Sequence, residues 1–167
     1  MSNLVYLVSS LPSLTFGQTP PMSLDSFLSE SKEQLSSTDF DALIKLDLKN
    51  FDETKGENLK QFRELLAQLN ADILEVRNAK ANQRTTTIQT LSKTVFDQNP
   101  LEREISIMKW QWEELTNIDF GENFSFTVVL VYKLKLQILH RLNSFNSEKG
   151  LGILESVVKP PKKMEEM

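Results

Sequence analysis

The chain has 167 residues, 40% of them hydrophobic and 25% charged, with a formal net charge of −4 and no cysteine. That is enough apolar content for one core and too much polarity for a membrane protein, while the absence of thiols removes disulfides, thiolate nucleophiles and cysteine-ligated metals together and fits a reducing cytoplasm. An acidic balance without clustered Lys and Arg gives no electrostatic route to nucleic acid or to an anionic membrane surface.

The N-terminal MSNLVYLVSSLPSLTF is apolar, but it has no positive leading region and no small-residue cleavage site before Gly17, so it reads as mature protein. Within it, Leu4 to Val8 (LVYLV) is β-branched and aromatic and suits a short strand or extended segment, and SSLPSLTFGQTPP, with three prolines, reads as a loop. A helix is expected from Ser23, which can cap it, with Leu24, Phe27, Leu28 and Leu35 as its apolar positions. Ser36, Ser37 and Thr38 interrupt it, and Ser37 or Thr38 then caps a short helix through Phe40, Leu43, Ile44 and Leu48, giving a helical hairpin.

From Glu57 to about Asn82 the apolar positions Leu59, Phe62, Leu66, Leu69, Ile73 and Val76 step alternately by three and four, the spacing of a heptad seam. A long helix should therefore pack along another, either inside the same domain or, through Leu66 and Ile73, against a second copy of the chain. Residues 83–99 lose this rhythm, are rich in Thr and Gln, and are expected to be a frayed helix or loop acting as a hinge. Asn99 before Pro100 restarts the helical pattern, since Pro is pre-organised for the first helical position and Glu102 and Glu104 complement the positive helix end. The stripe Leu101, Ile105, Met108, Trp112 and Leu115 then lies on one face, with Trp112 in the core. Trp110 points elsewhere at 100° per residue, and two readings stay open for it: packing under the preceding loop, or an exposed anchor for a partner, where Trp is enriched.

The last helix is expected from about Glu122 to Phe145, apolar nearly all round and hence central. On its wheel Lys133, Gln137, His140 and Arg141 share a polar arc, taken as solvated, while Lys135 falls among Val128, Val131, Leu139 and Leu142. A lysine there must snorkel, find an acid or meet a partner. The longest apolar run, Phe126 to Tyr132, is far short of the roughly 20 residues of a membrane span. The tail KPPKKMEEM, residues 159–167, is charged and suits disorder. The fold class is thus mainly α, with elongated or bundled antiparallel helices and a short extended or strand segment at the N-terminus, forming one domain over residues 1–158.

Catalytic chemistry finds no anchor. His140 is the lone histidine, so no histidine cluster can hold a metal, and no glycine-rich phosphate loop or GxSxG elbow occurs, GLG at 150–152 being too short. No cofactor is implied, and the chain reads as a non-enzyme.

Two stretches carry a family likeness. YLVSSLPSLTFGQTPPMSLDSFLSESKEQLSSTD, and NPLEREISIMKWQWEEL followed by VYKLKLQILHRLNSFNSEKGLGILESVV, together cover about half the chain in order and resemble the bacterial DUF2764 proteins. The matching positions are Pro12, Pro21, Pro100, Leu101, Glu102, Tyr132, Lys135, Leu136, Gln137 and Arg141. This chain departs from the family in being short, and residues 50–95 do not match. The resemblance implies a non-catalytic component that accompanies a bacterial V-type ATPase or ATP synthase, with other ATPase subunits as partners, peripheral at the inner membrane through that complex. By analogy it would join the rotor shaft to the membrane ring, as the C/d-like connector of those enzymes does. The alternative is a stand-alone helical scaffold or assembly factor, dimeric through residues 59–76. Because Lys135 belongs to the matching KLQIL while Lys133 does not, Lys135 is expected to pair with Glu102, Glu104 or Glu113 and so pin the last two helices together. Trp110, Lys135, Gln137, Arg141, Leu66 and Ile73 are the partner-binding or structural candidates.

Overall fold

Asn3 opens the first helix, and this corrects the reading of LVYLV as a strand. In the computed structural model, which describes residues 3–48, 59–85, 91 and 93–149, the Asn3 side chain accepts from the Tyr6 amide at 3.2 Å and α1 runs Leu4–Ser10. The physical reason lies in spacing. Leu4, Leu7, Val8 and Leu11 follow a three-and-four rhythm and reach the core, whereas Val5 and Tyr6 stay exposed. A lone strand would leave its amides without partners, since the described residues contain no other strand.

Capping chemistry positions the next elements. Ser23 accepts from the Ser26 amide at 3.1 Å and starts α2, Leu24–Gln34. The cap of α3, Ser37–Lys45, is Ser36 instead of Ser37 or Thr38, with its hydroxyl accepting from Asp39 N at 3.2 Å. α4 spans Lys60–Ala81 and begins without a side-chain cap. The expected start at Glu57 lies outside the described residues. Leu59, just before it, has φ +61, a strained conformation for a leucine that its burial at 5% exposure helps to hold.

A 3-10 helix at Lys93–Asp97 leads into α5, Pro100–Asp119, whose N-cap Asn99 accepts from Glu102 N at 2.9 Å. That 3-10 helix is tied to α5: Phe96 is buried, Arg103 donates to the Phe96 carbonyl at 2.9 Å, and Ser106 donates to Gln98 at 2.9 Å. The remainder of the expected hinge, residues 86–90 and 92, lies outside the described residues, as does the tail 159–167. The last helix, α6, runs Phe126–Lys149, starting four residues later and ending four later than expected. Gly121, at φ +81, sits in the turn from Asp119 that delays the start.

α6 is the central element. Val129, Val131, Leu134, Leu136 and Ile138 are fully buried on it, and each such side chain contributes roughly 1.5–3 kcal/mol by leaving water. α5 lies along it, and α1, α2 and α3 cover its other sides. α4 packs on α5, and Leu59, Phe62, Leu69 and Val76 are buried within the one chain, the first two in the core shared with α5 and α6. The mainly α architecture follows directly from the sequence pattern.

Lys133 is the second correction. It is 5% exposed, and its ammonium donates to the Leu43 carbonyl at 2.7 Å, to Ile44 at 3.2 Å and to Leu46. These carbonyls belong to the end of α3 or follow it, where a helix leaves acceptors unsatisfied and carries partial negative charge. At Lys133 the polar arc of α6 thus faces backbone, not solvent. Burial pushes the Lys133 pKa down, and the Asp47 carboxylate partly restores it.

Lys133→Met should remove a buried donor from three acceptors and cost roughly 2–4 kcal/mol. Lys135→Met should cost at most about 1 kcal/mol, the scale of a partly exposed cation–π contact. Urea unfolding of both variants checks this, and equal midpoint shifts would contradict the assignment.

Candidate partner-binding site

The polar side chains of α6 act as a row of donors and acceptors for irregular backbone. The Tyr132 hydroxyl donates to the Pro12 carbonyl at 2.7 Å, and its ring stacks on Phe27 with centroids 5.3 Å apart. One turn beyond Lys133, Gln137 accepts from the Leu48 amide at 3.0 Å and donates to the Asp47 carboxylate at 3.2 Å. His140, expected in solvent, is half-buried with Nε2 2.9 Å from the Met22 carbonyl, which it can only approach as the donor. Four side chains of one helix therefore hold the segments around Pro12, Met22 and Leu46 to Leu48.

Lys135 does not make the ion pair expected of it. It is half-buried, with Nζ 5.0 Å from the centroid of the Trp112 ring, and Trp112 meets Phe16 edge-on at 5.6 Å. The acid whose charge it feels is Asp119, at the end of α5, instead of Glu102, Glu104 or Glu113. Burial lowers the Lys135 pKa and raises that of Asp119, and each charge partly offsets the effect on the other. Both line an open recess of about 300 Å³ beside Pro12 and Tyr132. The clamp between the last two helices exists, but Arg141 makes it, donating from Nε to Glu104 at 2.8 Å while its guanidinium lies over Phe145.

Gln137 and Arg141 also line a larger cleft, of about 470 Å³, where α5 and α6 meet the chain at Leu24 and Leu48. Its aliphatic wall is Leu24, Leu48, Ile107 and Met108, and its polar groups are Asp47, Glu104, Gln111, Gln137 and Arg141. Gln111 and Asp47 escaped the sequence reading. A signal for Gln111 was present, since it lies three residues after Met108 and four before Leu115, on the buried stripe of α5. Nothing local marked Asp47, which reaches the cleft only because α3 ends against α6.

The remaining candidates are scattered. Trp110 is partly buried on α5; Leu66 is partly buried against the core, and Ile73 is partly buried further along α4. None of the three lines either recess. The described residues contain no group of His, Cys, Asp and Glu able to hold a metal, and no described helix is long and apolar enough to cross a membrane. No family model, curated protein or solved structure matches the chain.

Two measurements follow from this geometry. Burial pushes the Tyr132 phenol from 10.0 up to about 12, with the Glu30 charge adding to it. The native state then keeps a proton that the unfolded chain gives up, so this group's stabilisation is complete below pH 10 and is lost as pH rises towards about 12. In a Tyr6→Phe background, tyrosinate absorbance should titrate at about 12, and Tyr132→Phe should flatten the loss of stability in that window. The Arg141 and Glu104 side chains are 50% and 41% exposed, so a double-mutant cycle to alanine should give a coupling below about 1 kcal/mol, falling with salt.

Proposed function

We propose that this chain is a non-catalytic helical subunit or accessory protein of a bacterial V-type ATPase or ATP synthase, helping to couple rotor shaft to membrane ring. The observation that supports the reading is the bond from the Tyr132 hydroxyl to the Pro12 carbonyl, 2.7 Å long across 120 residues of sequence. It joins the two stretches that resemble the DUF2764 proteins. The two stretches also meet in both recesses, Lys135 beside Pro12 in one and Gln137 and Arg141 across from Leu24 in the other. A likeness confined to two distant blocks is more meaningful when those blocks fold as one unit. The coupling role is analogy from the family setting.

The alternative of a stand-alone scaffold that dimerises through residues 59–76 draws no support from the packing. Leu59, Phe62, Leu69 and Val76 are already buried inside a single chain, and only Leu66 and Ile73 of that seam keep partly exposed apolar surface for a second copy.

Affinity purification of the tagged chain, from a bacterium that encodes a V-type ATPase, should enrich head or rotor subunits detectable by mass spectrometry. Recovery of the chain without any ATPase subunit would end this reading.

A further inference from the structure

Lys135 and Asp119 bring opposite charges to one recess without joining them. Both are partly buried, both line the recess beside Pro12 and Tyr132, and each feels the other's charge. Even so, they form no ion pair, and neither side chain makes a hydrogen bond to any described residue. The Lys135 ammonium rests 5.0 Å from the centroid of the Trp112 ring, and a ring face engages one side of a group that has three donors. The Asp119 carboxylate keeps its full acceptor capacity. Burial disfavours both charges, drawing the lysine pKa down and pushing the aspartate pKa up, so each gains from a charged contact that replaces lost water. The rest of the lining is uncharged, with Val8, Leu11, Leu14 and Val128 as its aliphatic wall.

We propose that this recess binds a free α-amino acid with an aliphatic side chain, setting its carboxylate on Lys135, its ammonium on Asp119 and its side chain against the aliphatic wall. Charge, lining and size select that class. Two unjoined charges of opposite sign call for a ligand that carries both signs within a few bonds, and a zwitterion leaves the site neutral. A polypeptide terminus, a charged side chain or a phosphate offers one sign, so it would meet one group and be repelled by the other. The aliphatic wall favours a leucine-like side chain over a polar one. The volume, about 300 Å³, is at the small end of ligand pockets and suits a molecule of this size better than a nucleotide or a peptide segment. The site is made wholly from this chain, so it stands or falls apart from the ATPase reading.

The test is an NMR titration of the ¹⁵N-labelled full-length chain with L-leucine, at neutral pH and constant ionic strength. The Trp112 indole and the Val8, Leu11 and Val128 amides should shift saturably, with a Kd on the order of millimolar for so small a ligand. The Trp110 indole, outside the recess, is the internal reference. 4-Methylpentanoate lacks the ammonium and 3-methylbutylamine lacks the carboxylate, and each should bind about fivefold or more weakly, the scale of one lost charged contact at a partly exposed site. Glycine, without the aliphatic side chain, should also bind more weakly. Lys135→Met should reduce leucine to the affinity of 3-methylbutylamine while leaving the amine bound at least as well as before, and Asp119→Asn should do the same for leucine and 4-methylpentanoate. The proposal is overturned if L-leucine gives no saturable shift at the recess, or if glycine or either single-charge analogue binds as tightly as leucine. Unchanged leucine binding to both variants overturns it too, and should a variant not fold, the comparison of leucine with its two single-charge analogues on the wild-type chain decides the same point.

Discussion

A single ammonium group, on Lys133, closes the end of α3. Its bonds to the carbonyls of Leu43, Ile44 and Leu46, the first and last of them buried, satisfy acceptors that the helix end leaves open, and in doing so fix where the chain goes after that helix. The cost of burying a cation is met by geometry and by charge. Three acceptors surround it, the helix end is electronegative, and Asp47 stands nearby. Gln137, one turn along α6, extends the same clamp to Leu48 and Asp47. Without Lys133, α3 would have to end in water, and the wall of the larger cleft would move with it.

The rest of the N-terminal half depends on α6 in a similar manner. Tyr132 and His140 bind the carbonyls of Pro12 and Met22, which lie in the loop between α1 and α2. That loop contains three prolines, whose missing amides limit the hydrogen bonds it can make internally. Side chains of a rigid helix supply the donors instead. Apolar contacts alone would leave the position of such a loop loosely specified, since they are not directional; hydrogen bonds are directional and specify it. The two recesses lined by α6 inherit this rigidity, which is a precondition for selective binding.

Lys133, Lys135 and Arg141 on α6 illustrate how environment divides roles among similar residues. Lys133 is enclosed and structural. Lys135 lies over the Trp112 ring at the mouth of a recess, and Arg141 makes an exposed clamp to Glu104 that contributes little to stability. Only the last two remain accessible at a recess, which is where a partner could find them.

The sequence by itself determined the five described helices after α1 and the starts of α2 and α5. Ser23, Asn99 and Pro100 acted as their chemistry predicts, because capping is a local interaction within one turn. The centrality of α6 was equally legible, since a helix apolar nearly all round has nowhere else to go. LVYLV was misread because β-branched content was weighed above the spacing of Leu4, Leu7, Val8 and Leu11. Which lysine is buried was decided only by tertiary structure. A helical wheel assigns polar residues to water, yet the surface facing the Lys133 arc is the end of another helix, as polar as water and far more fixed. The same reason hid the role of His140 and the place of Asp47: backbone carbonyls carry no signature in the sequence, and only packing brings them opposite the side chains that need them.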